Sequence, residues 1–474
     1  MKDTLNSPFF NACKKIAAEQ QIKAYAVGGW VRDYFLNRPC KDIDIVVEGN
    51  GIEFAKKVAA AISPKIHVNY FKNFGTAQFV YEGFEYEFVG ARKESYQRDS
   101  RKPIVEDGTI EEDISRRDFT INCMAISLND SDYGELLDLY KGKNDLATRC
   151  LKTPLDADIT YSDDPLRMMR AVRFASQLQF EIETDSFESI KRNAQRLEII
   201  SKERIHTELN KILLSPKPSI GLDLLFKSGL LDYVLPELKL LYGVQEYKGK
   251  GHKDNFYHTL QVLDNIAPFT SNLWLRWAAL LHDIAKPQTK AYSEHNGWSF
   301  HGHEVLGSKM VIKIFKTLKL PLDKNMDYVQ KLVFLHLRPI ALTKETITDS
   351  AIRRLLFEAG DDIEDLLMLC KADITSKNEE KVKKYILNLE KVKEKIIEVE
   401  NRDQIKNFQP PVSGELIMET FHLKPCKEVG IIKNEIKEAI LEGKIQNNFN
   451  EAKQLMIEIA QNLGLSPYPS ESNE

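Results

Sequence analysis

The sequence predicts an α+β chain: a mixed strand-and-helix head at the N-terminus, followed by helices almost to the end. Three observations carry that expectation. Short apolar runs, alternating positions and a glycine turn mark the early residues as strands and helices around one sheet. From about residue 160, apolar residues recur at helical spacing with few strand signals. Histidine is also uneven: seven of the ten (His252, His258, His282, His295, His301, His303, His336) fall within 85 residues of the helical part.

In chain order, Ala24–Val27 reads as a strand. Gly28-Gly29 then turns the chain into a helix start at Trp30-Val31-Arg32-Asp33. Asp42–Val47 is a second strand, 54–62 a helix, and Thr76–Val80 and Phe84–Val89 two further strands. Arg167–Leu178, Asp185–Arg196, Lys202–Leu214 and Gly221–Phe226 read as helices. Breaks are expected in the polar stretch 141–160, at Ser215–Pro218, at Lys248–Lys253 and at Pro410-Pro411. These give a head over 1–140, a helical neck over 141–235, a histidine-rich helical body over 236–400 and a helical tail over 401–474. Pro467–Glu474 reads as a disordered terminus.

The 474 residues carry 66 Lys+Arg against 70 Asp+Glu, a net charge of −4. That excludes a uniformly basic nucleic-acid coat and an acidic disordered chain, but not a local basic groove. The six cysteines form no C-x-x-C pair, which argues against a zinc ribbon and a disulfide framework. Residues 1–15 have no apolar core of a signal peptide, and no run approaches a membrane span. The expected compartment is the cytoplasm.

Asp42 and Asp44, two apart on a strand, point to one face. Paired carboxylates need a cation between them, and hard oxygen ligands suit Mg²⁺. Glu87, on the strand Glu85–Val89, is the expected third carboxylate. Such a trio around two metals stabilises the attacking and leaving oxygens of a phosphoryl displacement. An isolated D-x-D is as readily a solvated turn. Here it follows Gly28-Gly29, where backbone N–H groups can approach phosphate, and Arg32, with its fixed fork of donors.

Two more segments add charge. Arg116-Arg117-Asp118-Phe119-Thr120-Ile121-Asn122 offers two arginines for a triphosphate. In Asp163-Asp164-Pro165-Leu166-Arg167, Pro165 suits the first turn of a helix and Asp164 its cap. Arg167, Arg170 and Arg173 then step by three into a basic stripe, expected to lack matching acids and to meet phosphates or a base edge. Asp164 and Arg167 share a face. An Asp accepts from an exocyclic amino group and an Arg donates to a ring acceptor, so the pair fits cytosine and adenine and rejects uracil and guanine.

These motifs, in this order, resemble the bacterial-type (class II) tRNA nucleotidyltransferase and poly(A) polymerase family. Glu203-Arg204-Ile205 with Glu208-Leu209 resembles its last head-and-neck motif, so the likeness spans about residues 20–235. The resemblance implies a polymerase-β-like nucleotidyltransferase head and addition of C, C and A to the 3′ end of tRNA from CTP and ATP. It implies triphosphate binding at Gly28, Gly29 and Arg32, and Mg²⁺ on Asp42 and Asp44. Arg117, Asp164, Arg167, Arg170 and Arg173 would bind the nucleotide, with Asp164 and Arg167 reading the base. Asp163 departs from the family's usual Glu but keeps the charge. Poly(A) addition is the alternative that the head motifs leave open. Pro411–Glu415, Lys424-Pro425 and Val429-Gly430 resemble the tail of CCA-adding members, and Arg98–Asp113 their mobile loop. The tail is thereby expected to contact tRNA.

The histidine cluster is a second constellation. His282-Asp283 follows the apolar run Trp277–Leu281, His258 lies 24 residues earlier, and Asp373 closes the set. Imidazole with carboxylate suits Mn²⁺, Ni²⁺, Co²⁺, Fe²⁺ or Zn²⁺ more than Mg²⁺. The order H…HD…D resembles the HD phosphohydrolase family over about 240–375. That resemblance implies His258, His282, Asp283 and Asp373 as metal ligands, His303 and His336 as ligands to a second ion, and an accessory phosphohydrolase activity. A remaining alternative is an HD phosphohydrolase whose head only binds nucleotide as a regulator.

Overall fold

The computed structural model describes residues 5–72, 75–97, 100–247, 250–251, 253–295, 297–342, 347–376, 378–406 and 408–467. His252, Arg98 and residues 468–474 lie outside them. The chain forms two compact units, Met1–Lys239 and Leu240–Glu474.

The first unit begins with α1 (Pro8–Gln20), β1 (Ala24–Val27), α2 (Gly29–Phe35), β2 (Asp42–Val47) and α3 (Gly51–Ile62). Then come β3 (Asn69–Phe71), β4 (Thr76–Tyr81), β5 (Phe84–Gly90), β6 (Arg92–Gln97) and β7 (Ser100–Asp107). α4 (Ile110–Ser115), β8 (Ala125–Ser127) and β9 (Leu136–Leu137) complete the head. Seven strands form one sheet in the order β3-β4-β5-β2-β1-β8-β9. Within it β2 and β5 run parallel, and the remaining neighbours are antiparallel.

The alternation in Asp42-Ile43-Asp44-Ile45-Val46-Val47 sorts the two faces of this sheet. Ile43 and Ile45 pair beside Tyr86 and Phe88 and are buried. Their face is closed by aromatic packing: Phe9 of α1 stacks on Tyr86 at 3.6 Å, and Phe54 of α3 lies 6.0 Å from Phe88. On the other face, Val46 joins Val27, Ala125 and the α4 residues Ile110 and Ile114 in a second core cluster. Asp42 and Asp44 stand on this second face, beyond the part that α4 covers. Caps fix the helix starts: Asn50 accepts from Ile52 and Glu53, and Thr109 with Glu112 forms a capping box on α4.

Arg98–Asp113 is not the single loop expected. From Ser100 it forms β7, paired with β6 as a separate two-stranded ribbon, and from Ile110 it forms α4. Opposite charges meet across the ribbon, Arg92 beside Asp107 and Lys93 beside Glu106, which favours pairing.

The neck contains α5 (Leu166–Leu178) and α6 (Lys202–Leu213), joined by an ion pair of 2.6 Å between Arg173 Nε and Glu208 Oε2. The second unit is mostly helical. It contains α7 (Asn255–Ile266), α8 (Leu273–Leu281), α9 (His303–Leu318), α10 (Lys324–Leu335), α11 (Asp349–Ala359) and α12 (Ile363–Asp373). α13 (Glu379–Asp403), α14 (Gly414–Phe421), α15 (Lys427–Glu442) and α16 (Phe449–Asn462) follow. The Lys/Glu-rich α13 is amphipathic, burying Leu389, Val392, Ile396 and Val399. Among the described residues, no helix is long and apolar enough to cross a membrane.

Candidate active site and metal centre

One cleft of ≈ 870 Å³ in the first unit is lined by Gly28, Gly29, Arg32, Asp42, Asp44, Glu87, Arg117, Asp164, Arg167, Arg170 and Arg173. It thus brings together every head and neck residue expected from the sequence to hold nucleotide or Mg²⁺. β2 and β5 run in register, Asp42 beside Glu85 and Asp44 beside Glu87, so all four carboxylates share a face. Burial lifts Asp44 above the ordinary carboxylate value. Arg117 opposes that lift, and Asp42 adds to it. Glu87 is raised by burial and then by Asp44. A hard divalent cation fits this donor set, because it would offset both the burial and the mutual repulsion.

Gly28 closes β1 with φ at 72°, and its N–H donates to Met124 O at 3.2 Å. That N–H is therefore not available to a phosphate, contrary to the simplest reading of the glycine pair. The opening of α2 leaves Gly29 and Trp30 at the helix start, where N–H groups lack intrahelical partners. A Cβ on Gly28 would stand 2.8 Å from Arg117 Nη1, so the glycine also makes room for that guanidinium.

The arginines are held by acids that the local sequence did not reveal. Asp113, fully buried on α4, accepts from both Arg116 and Arg117, with closest approaches of 2.6 and 3.0 Å. Asp118 Oδ2 accepts from Arg170 Nε at 2.7 Å, and its Oδ1 accepts from Asn122 Nδ2 and Phe119 N, each at 2.9 Å. Asn122 Oδ1 in turn accepts from Arg32 Nη1 at 2.9 Å, and Arg32 forks onto Asp33. Arg32, Arg170 and Arg173 also surround the Phe174 ring, at 5.0, 5.5 and 4.0 Å from its centroid. The stripe expected to lack acids is thus corrected. Arg170 pairs with Asp118 and Arg173 with Glu208, partners 52 and 35 positions away in the sequence.

Asp164 Oδ1 accepts from Leu166 N at 3.2 Å, which makes it the working cap of α5. Its Oδ2 pairs with Arg204 Nη2 of α6 at 3.3 Å. Arg167 Nη2 donates to Arg116 O at 2.6 Å. Asp164 and Arg167 both line the cleft, but each is oriented by a separate partner rather than by the other. Sequence reasoning missed the roles of Asp113, Asn122, Phe174 and Arg204; the positions of Asn122 and Arg204 inside recognised motifs were the hints to them.

The second unit assembles the histidines. His258 on α7, His282 just after α8, and Asp283 form one set of three whose ligand atoms lie within 4.8 Å of one another. Asp283, His303 and His336 form another. Asp283 is common to both. Asp373 Oδ1 lies 2.8 Å from His258 Nε2 and 3.5 Å from His282 Nε2. The rings are oriented from behind: Nδ1 of His282, His303 and His336 faces the carbonyl of Ala279, Phe300 and Val333 at 2.8, 2.6 and 2.6 Å. That leaves each Nε2 directed inward, as in a metal-bound imidazole whose other ring nitrogen is held by a carbonyl. His282 Nε2 is buried with no hydrogen-bond partner, an orphaned polar atom that a metal would satisfy. Burial opposes charge on His282, yet Asp283 and Asp373 raise it to about 10, so this centre demands a positive charge. Lys286 also supplies one, with Nζ 2.5 Å from Asp283 Oδ2.

Comparison with known proteins follows the same division. Residues 24–152 match the family described as Poly A polymerase head domain, residues 179–241 the probable RNA and SrmB-binding site of polymerase A, and residues 255–378 the HD domain. The chain is 32% identical to an A-adding tRNA nucleotidyltransferase of Deinococcus radiodurans over 71% of its own length and 76% of that protein. It is 27% identical to a CCA-adding enzyme of Streptococcus pyogenes over 91% and 92%. An A-adding tRNA nucleotidyltransferase of Aquifex aeolicus is 38% identical over 43% of this chain, a stretch that spans only 24% of that protein. A solved tRNA nucleotidyltransferase, complexed with a primer tRNA and an incoming ATP analog, superposes with a TM-score of 0.57 at 25% identity. It covers 81% of this chain and 98% of that one.

The Asp118 cluster gives a stability prediction. Burial would raise Asp118, but Arg170 and Asn122 hold it below the ordinary carboxylate value. A depressed folded value adds stability that is present above the unfolded value of about 3.9 and is lost as pH falls through the folded one. Asp118→Ala is expected to cost the first unit about 1.5–3 kcal/mol at neutral pH, because solvent reaches the Arg170 that is left behind. In chemical unfolding the gap to wild type should narrow below pH 3.9 or so. A gap of equal size at pH 7 and pH 3 would mean that the charge is not what stabilises.

Proposed function

The chain belongs to the bacterial-type tRNA nucleotidyltransferase and poly(A) polymerase family and is a nucleotidyltransferase, and from that premise we propose that it adds C, C and A to the 3′ end of tRNA. The observation that carries the reading is one cleft that unites the carboxylates Asp42, Asp44 and Glu87 with Arg32, Arg117 and the pair Asp164 and Arg167. The full-length match to a CCA-adding relative supports it. The A-adding relatives support a second reading, in which only the terminal A is added. A tRNA substrate also supports a cytoplasmic enzyme.

In this reading the α2 start, Arg32 and Arg117 hold the triphosphate of CTP or ATP. Asp42, Asp44 and Glu87 would hold Mg²⁺, which when bound polarises the attacking 3′-oxygen and the leaving pyrophosphate oxygen. Asp164, steadied by Arg204, accepts from the exocyclic amino group of C or A. Arg167, steadied by the Arg116 carbonyl, donates to the ring nitrogen. Arg170 and Arg173 act chiefly as struts, because each is paired with an acid. The tail helices α14 to α16 offer a tRNA contact.

His258, His282, Asp283 and Asp373 would hold a divalent transition metal, with His303, His336 and the shared Asp283 holding a second ion. Such a metal activates water for phosphoester hydrolysis. The chain's own residues orient the ligands, through the three carbonyls behind the rings, and leave Lys286 to meet a phosphate.

Two experiments test this. The Asp42→Ala, Asp44→Ala double variant should lower tRNA extension by about 10³-fold or more, since transition-state charge loses its main support, while melting as wild type does. Extension at the wild-type rate would sink the transfer reading. For the second centre, His282→Ala is expected to abolish stoichiometric Ni²⁺ or Mn²⁺ retention and any 2′,3′-cyclic phosphate hydrolysis, and to leave tRNA extension intact. Metal retention unchanged by the substitution would contradict the ligand set.

A further inference from the structure

We propose that the open sheet face beside the carboxylates, the row Glu87–Gln78–Asn69 flanked by Val80 and Phe71, is the track on which the 3′-terminal nucleotide of the RNA acceptor lies. The inference rests on the nucleotidyl-transfer reading above and extends it to residues outside the nucleotide cleft.

Register places these side chains. Asp44 pairs beside Glu87, Glu87 beside Gln78, and Gln78 beside Asn69, so one row of side chains runs from β2 across β5 and β4 to β3 on a single face. Val80, beside Glu85, and Phe71, beside Thr76, stand on the same face to either side of the row. With strands about 4.8 Å apart, Gln78 and Asn69 lie roughly 10 and 15 Å from β2. The cleft lining reaches Glu85 and Glu87 on β5 and goes no further along the row.

In-line displacement selects this side. The attacking oxygen and the leaving pyrophosphate lie on opposite sides of the α-phosphorus. The phosphate donors, Arg32 and the start of α2, follow β1, and β1 neighbours β2 on the side away from β5. The leaving group therefore departs over β1, and the acceptor hydroxyl enters over β5. The opposite face of the same strands is closed by α1 and α3, with Phe79 and Phe88 buried. The acceptor face is open: Val80 is 66% exposed and Phe71 49%. An apolar pair that solvent reaches, next to amides able to bond a 2′-hydroxyl or a base edge, matches how single-stranded RNA ends are held.

The test uses the full chain, tRNA lacking its terminal CCA, and CTP. Val80→Glu should raise the KM for tRNA about fivefold or more by setting a carboxylate against the RNA backbone, with the KM for CTP unchanged. Val80→Lys should raise it less, and a rise as large as that of Val80→Glu would overturn the contact with the RNA backbone. The Asn69→Ala, Gln78→Ala double variant should also raise the KM for tRNA alone. All of these positions lie outside the buried core, and thermal melting checks that the variants fold. Val80→Glu and the double variant both matching wild type would overturn the track, as would an equal rise in the KM for CTP. Absence of extension by the wild-type enzyme both with CTP on this tRNA and with ATP on tRNA ending in CC would overturn the transfer reading itself, and the track with it.

Discussion

The buried pairing of Asp118 with Arg170 is the contact on which the site depends. Asp118 sits just after the α4 turn in the head, and Arg170 sits on the neck helix α5. Their contact continues through Asn122 to Arg32 at the start of α2. One acid thereby sets where α5, which carries Arg167, stands relative to Arg32 at the start of α2. Such a pair contributes little net energy against an apolar replacement, but it fixes geometry, because losing one partner strands the other charge. The same logic recurs at Asp113 with its two arginines and at Glu208 with Arg173. The arginines of the cleft are thus held in place by buried acids.

The two chemical centres differ in the way their ligand types predict. The head offers oxygen donors on a half-open strand face, suited to a hydrated hard cation that must share its shell with phosphates. The second unit offers inward-directed imidazoles around a buried Asp283, suited to a softer ion held by the protein. Each half carries its own family match. The net charge of −4 hides this arrangement, because arginines and carboxylates are gathered side by side in one cleft.

Much of this was legible in the sequence because it is local. Period-two alternation placed Asp42 and Asp44 on one face, and the glycine pair marked the strand-to-helix turn. The run after Pro165 marked α5, and the H…HD…D order marked the second centre. The remainder depends on pairing across distance. Asp118 and Glu208 meet the arginine stripe only once α4, α5 and α6 are packed, so the stripe reads as unpaired from sequence alone. Gly28 reads as a phosphate donor until the sheet takes its N–H for Met124. The Asp164/Arg167 pairing follows from helix spacing. That each answers to a different partner, Arg204 and the Arg116 carbonyl, does not. The β6–β7 ribbon was hidden because its cross-strand charge pairs lie 13 to 15 positions apart.

In the proposed function the Asp164/Arg167 edge selects C and A, which are appended in order. Nucleotide choice is measured by offering CTP, ATP, UTP or GTP singly to tRNAs ending before CCA, after C and after CC, and sequencing the products. C, C and A are expected at the successive ends, with UTP and GTP refused, and Asp164→Ala should lose this refusal. Incorporation of A alone at the last step would establish the A-adding reading, and long A tails on unrelated RNA, or UTP and GTP accepted as readily by wild type, would rule out selection by this edge.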